Sequence, residues 1–165
     1  MAKIVPPMNF GLVEDAGFYR SAQPSELNFS FLEKLNLRTI IWVGAEEPSD
    51  ILQVARPSQG IKLYNLAPQT NHLPPLPPPP EPLIIQALSL LLRSSTFPTL
   101  LCCNMGRHRT GTVVGCFRKL QRWALSSILE EYRRYAGMKV RVLNEQFIEL
   151  FDTDLVSITA EQATA

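Results

Sequence analysis

Two uninterrupted apolar runs, Thr39-Ile-Ile-Trp-Val43 and Pro98-Thr-Leu-Leu-Cys102, constrain the fold more than any other feature of the chain. Short runs without polar alternation are buried on both faces, as happens in a parallel sheet covered by helices. Ile61 to Ala67 alternates apolar and polar residues and predicts a further strand. Gly11 to Val13 and Phe18 to Ser21 predict a hairpin across the turn Glu14-Asp15-Ala16-Gly17. Helical segments fall between the strands. Asn28 is expected to cap a helix carrying Phe31, Leu32 and Leu35 on one face, ending before Arg38. Ser49 to Ala55 predicts a short helix closed by Arg56-Pro57, Glu81 to Leu92 a strongly apolar one, and Arg109 to Trp123 another. The capping box Ser127-Ile-Leu-Glu130 opens a helix that Gly137 stops, and Asn144 to Phe151 predicts the last. Alternation of this kind gives an α/β fold with a central, mostly parallel sheet flanked by helices.

At 165 residues the chain fits a single domain, expected over 5–155, followed by a disordered tail over 156–165. Its 45% hydrophobic and 19% charged residues exclude disorder for the whole chain. No apolar stretch reaches the ~18 residues of a membrane span. Three cysteines, two of them adjacent, form no framework of spaced pairs, and the start Met1-Ala-Lys-Ile-Val-Pro has no apolar leader, so a reducing, cytoplasmic setting is expected. Charge is polarised. From Cys103 to Arg141 nine Lys/Arg face two acids, a balance of +7 within a chain of net charge +1. Such a segment suits an anionic substrate or partner, or simply a solvated helix face. Nothing in the sequence points to nucleic acid. Seven prolines between Pro74 and Pro82 exclude helix or central strand there and predict a stiff extended arm, or a docking motif of polyproline type.

The chemistry concentrates where the last strand meets its helix, at Cys103-Asn-Met-Gly-Arg-His-Arg-Thr110. Carboxyl ends of strands are where α/β sheets gather ligands. A loop this short can turn its N–H groups around one tetrahedral oxyanion, adding to the positive end of the following helix. Asn104, Met105, Gly106, Arg107, His108 and Arg109 are therefore the candidate phosphate-binding residues, with Gly106 supplying the positive φ that the wrap needs. The Arg109 fork suits two equatorial phosphate oxygens in a way that a lysine does not. The same donors favour Cys103 as a thiolate nucleophile, and Thr110 is placed to hydrogen-bond the sulfur and assist its departure. No metal or cofactor is called for.

This loop resembles that of the cysteine-dependent tyrosine and dual-specificity phosphatases, and most of the chain is similar to their atypical plant-and-fungal branch. Three stretches carry the resemblance: Val5-Pro-Pro-Met-Asn-Phe-Gly11 with Phe18-Tyr-Arg-Ser-Ala-Gln-Pro24; Asn28 to Trp42 with Glu46-Glu-Pro48; and Cys102 to Val113 with Glu130-Glu-Tyr-Arg-Arg134. The resemblance implies the compact phosphatase fold, a phosphocysteine intermediate, a role in oxidative-stress signalling and association with sister phosphatases of the branch. A phosphorylated substrate follows, either a phosphoprotein or, as for close relatives, an inositol pyrophosphate.

Two departures stand out. The residue before the nucleophile, usually His in this class, is Cys102, where a disulfide to Cys103 would close a strained ring. There is also no Asp between Ile51 and Phe151 to act as general acid. Glu81, at the end of the proline arm, is the candidate, with Glu46 and Glu47 as further acids after another strand. Weak acid catalysis favours a phosphate leaving group, with a second pKa near ~6, over a tyrosine with pKa ~10. The alternative to an enzyme is a scaffold of the same fold that binds phosphate without turnover.

Overall fold

The computed structural model describes residues 3–58, 60–70 and 77–156. Strands β1 (Gly11–Glu14), β2 (Phe18–Ala22), β3 (Thr39–Trp42), β4 (Lys62–Asn65) and β5 (Thr99–Cys103) form one sheet in the order β1-β2-β5-β3-β4. Only the β1–β2 hairpin is antiparallel; β2–β5, β5–β3 and β3–β4 are parallel. The apolar runs thus occupy the centre of the sheet, where both faces need covering.

Alternate residues on each central strand divide between two cores, as the period of 2 requires. Ile41, Val43, Leu101 and Cys103 face the larger core, built with α3 (Glu81–Leu91), α4 (Arg109–Leu120), α5 (Leu125–Ala136) and α6 (Val142–Leu150). Ile40, Trp42, Leu100 and Cys102 face the smaller one, under α1 (Phe29–Lys34) and α2 (Asp50–Ser58). In α3 the spacing of Leu83, Ile84, Ala87, Leu88 and Leu91 buries one continuous face. Each large aliphatic side chain so buried contributes about 1.5–3 kcal/mol.

Several helix ends differ from the sequence expectation. Asn28 does not cap α1 with its side chain; it ends a preceding 3-10 turn, and its carboxamide accepts the Ser25 N–H at 2.8 Å. Helix α2 continues past Arg56-Pro57 to Ser58. Helix α5 begins at Leu125, ahead of the expected box, and Glu130 approaches Arg134 on the helix surface instead. Gly137 does stop it, at φ 61°. Helix α4 ends at Leu120, with Arg122 at φ 62° turning the chain. Val156, placed in the tail by sequence, is fully buried in the larger core. The remainder of the expected tail and the first three residues of the proline arm, 74–76, lie outside the described residues. Among those described, no helix is long and apolar enough to cross a membrane.

Two cations of the basic segment are committed to the fold. Buried Arg118 donates to Glu14 (2.7 Å), the Val13 carbonyl (2.9 Å), Gln121 (3.0 Å) and Glu131 (3.2 Å), tying hairpin, α4 and α5 together. Lys119 donates to the carbonyls of Ile148, Glu149 and Phe151, closing the C-terminus of α6.

Candidate active site

Strand β5 ends at Cys103 and α4 starts at Arg109, so the intervening loop sits at the carboxyl edge of the sheet, as expected. What shapes it is the set of donors behind its carbonyls. The Asn104 carbonyl accepts the Gln23 N–H at 3.2 Å. Those of Met105 and Gly106 accept Asn9 Nδ2 at 3.3 and 3.1 Å, and Gly106 also accepts Arg20 Nη2 at 3.2 Å. The Arg107 and His108 carbonyls accept the first N–H groups of α4, from Gly111 and Thr112. With every carbonyl from 104 to 108 held outward, the N–H groups are left facing the other way. Among the described residues, no main-chain carbonyl accepts from the N–H groups of Met105 to Arg109. Such a ring of free donors at a helix start is an oxyanion cup.

Gly106 makes the turn possible. It sits at φ 65°, and a Cβ there would lie 2.5 Å from the Ala22 nitrogen and the Ser21 carbonyl carbon. The loop is therefore seated directly on β2, which neither a side chain nor a different backbone angle would permit.

A cleft of about 270 Å3 opens over the loop, lined by Gly44, Ala45, Glu46, Cys103, Asn104, Met105, His108, Arg109 and Arg141. Thr110 Oγ1 donates to Cys103 Sγ at 3.0 Å from beneath. Arg109 Nη1 is buried without a partner. Burial lowers the Arg109 guanidinium from its ordinary range, with the Cys103 sulfur acting in the opposite sense. His108 Nδ1 lies 3.0 Å from the Tyr132 hydroxyl, which also accepts Asn144 Nδ2 at 3.2 Å. Burial, then the charges of Arg141 and Arg107, push His108 down to about 4. It is therefore neutral at pH 7, and the cations that line the cleft are Arg109 and Arg141.

The structure brings Cys103, Asn104, Met105, His108 and Arg109 together around one cleft, with Thr110 below; Gly106 and Arg107 shape the loop without lining that cleft. It does not bring Glu81 there. Glu81 lines a second cleft with Pro78, Leu143, Gln146, Phe147, Leu150 and Phe151, because α3 packs its start against the end of α6. The acid that lines the cleft with Cys103 is Glu46, whose loop is anchored by the Trp42 indole N–H donating to the Glu46 carbonyl at 2.8 Å. Cys102 shares none of this. It faces the opposite core, fully buried, and burial raises its thiol well above the ordinary range. Cys116 lies in the larger core with its thiol likewise raised. All three cysteines are free. Asn9, Arg20 and Tyr132, which support the loop, fall in the stretches that carry the family resemblance but show no local sign of that role, and Arg141, which lines the cleft, is marked only as the end of the basic run.

Loop, cysteine, arginine and hydroxyl donor define a cysteine-dependent phosphatase. The family model described as the tyrosine phosphatase family matches residues 4–165, and the chain belongs to that family. It is 56% identical over 157 residues to the "Probable tyrosine-protein phosphatase DG1060" of Dictyostelium discoideum, covering 95% of this chain and 93% of that one. It is also 56% identical to the "Putative tyrosine-protein phosphatase OCA1" of Mycosarcoma maydis, covering 93% and 96%. Among solved structures, the core catalytic domain of the PP-IP phosphatase SIW14 from S. cerevisiae superposes with a TM-score of 0.87 at 39% identity, covering 98% of this chain and 96% of that one.

Proposed function

We propose that this phosphatase cleaves a phosphoanhydride, with an inositol pyrophosphate as its substrate class, through a phosphocysteine. The observation that carries the catalytic part is the Thr110–Cys103 hydrogen bond of 3.0 Å at the base of a loop whose carbonyls are all held outward. Cys103 Sγ attacks phosphorus, forming the P–S bond as the bond to the leaving oxygen breaks. The loop N–H groups and the Arg109 fork hold the equatorial oxygens through the trigonal bipyramidal state. Water then attacks phosphorus, and the departing sulfur is stabilised by the Thr110 hydroxyl.

Three features favour the anhydride. The cleft adds Arg141 to Arg109, suiting a substrate with several phosphates. Its acid is a single glutamate, Glu46, sufficient where the leaving phosphate needs little protonation. The SIW14 domain, similar over nearly its whole length, is described as a PP-IP phosphatase. A cytoplasmic role in oxidative-stress signalling and association with sister phosphatases belong to the same reading, supported by the resemblance of the loop and its flanking motifs.

The test is turnover of an inositol pyrophosphate beside a phosphotyrosine peptide under reducing conditions. The expected result is at least a tenfold higher kcat/KM on the pyrophosphate, about 1.4 kcal/mol of transition-state preference, and loss of both activities to background in Cys103→Ser. Preference for the peptide overturns the substrate class. Tight binding of the pyrophosphate with no turnover overturns the enzyme in favour of the scaffold.

A further inference from the structure

Among the described residues two arginines are buried, and they are treated differently. Arg118, 5% exposed, spends its guanidinium on Glu131, Glu14, Gln121 and the Val13 carbonyl. Arg20, 1% exposed, has one hydrogen bond, from Nη2 to the Gly106 carbonyl, while Nε and Nη1 are buried without a partner. Its guanidinium lies 3.7 Å from the centre of the Tyr135 ring, and among the described residues no carboxylate forms an ion pair with it. Burying an unpaired cation costs several kcal/mol, so packing alone does not account for it.

Its position does. Arg20 stands on β2 opposite Leu101 of β5, two residues before Cys103, and the next residues of β2, Ser21 and Ala22, are those on which Gly106 rests. The charge therefore lies behind the loop, across from the cleft. The charged and titratable groups around it are Tyr135 and Glu131 from α5, Arg118 from α4 and Cys103 from β5. Burial brings Arg20 down to about 10, with Tyr135, Glu131 and Cys103 opposing that shift, so it stays charged at neutral pH. Around Cys103 itself stand Arg109 and Thr110 of α4 and the neighbouring Cys102, with Glu46, His108 and Arg141 lining the same cleft.

We propose that Arg20 is a positioning residue of the site: a buried counter-charge, placed behind the phosphate loop, that favours the Cys103 thiolate and holds the Gly106 carbonyl away from the bound phosphoryl group. It takes over the support that a His before the nucleophile would give, a position that here is Cys102, facing the opposite core. The inference rests on the phosphocysteine reading.

The pH dependence of iodoacetamide alkylation at Cys103, followed by mass spectrometry, tests it without requiring turnover; Cys102 and Cys116 are fully buried. Arg20→Met is expected to raise the alkylation midpoint by about one pH unit, a tenfold smaller thiolate fraction below the midpoint. Arg20→Lys, which keeps the charge, is expected to move it by less than about half of that. Equal midpoints for the unmutated chain and Arg20→Met overturn the proposal. Should Arg20→Met fail to fold by circular dichroism, the unmutated chain decides. The buried Arg20 Nε–H resonance is expected to shift with the midpoint of Cys103 alkylation, and a resonance indifferent to that ionisation overturns the proposal. A phosphatase reading that failed would show instead as a chain without turnover, whatever the alkylation midpoint.

Discussion

Two clefts of this molecule are nearly equal in size, about 270 Å3 over the Cys103–Arg109 loop and about 240 Å3 between α3 and α6, yet their chemistry is opposite. The first is floored by Cys103 and free N–H groups and bordered by Arg109 and Arg141. The second is walled by Leu143, Phe147, Leu150 and Phe151, with Glu81 at its edge. Volume does not make a phosphate site. Convergent donors do, and they arise only where a strand hands over to a helix through a loop whose carbonyls are tied back.

Arg109→Lys would break the comparison most severely, because a point charge cannot span two equatorial oxygens. A fall in kcat of about 10²–10³ with the loop intact is expected, measured on p-nitrophenyl phosphate. Gly106→Ala attacks the shape of the loop instead of its charge. The positive φ and the approach to the Ser21–Ala22 backbone should cost about 1–3 kcal/mol in urea unfolding, with turnover reduced alongside. The smallest effects separate the two acids. Glu46→Gln should lower kcat on a phosphotyrosine peptide by about tenfold or more while changing anhydride cleavage less, since only the ester needs its leaving group protonated. Glu81→Gln should alter either rate by less than about twofold. A larger effect at Glu81 than at Glu46 would reverse the assignment of the clefts.

Much of this was legible along the chain. The runs Thr39–Val43 and Pro98–Cys102 announced central parallel strands, since an unbroken apolar stretch has no face to offer water. Gly106, Arg109 and Thr110 were readable because their relation to Cys103 is local, set by the geometry of one strand-to-helix turn. Helix starts were less well marked. The Ser127–Glu130 box lies inside α5, where packing of Ile128 and Tyr132 extends the helix past its own signal.

The sequence by itself determined the order of strands and helices, the α/β class and the loop from Cys103 to Thr110, because these depend on periodicity and on neighbours a few residues apart. Only the tertiary structure decided that Glu46 and not Glu81 shares a cleft with Cys103, that Arg118 is consumed by Glu131 and Glu14, and that Arg20 remains buried without a carboxylate. Charge in a sequence carries no record of its surroundings. Whether an arginine serves the fold or the chemistry is fixed by which distant segments the packing of the sheet and helices brings against it.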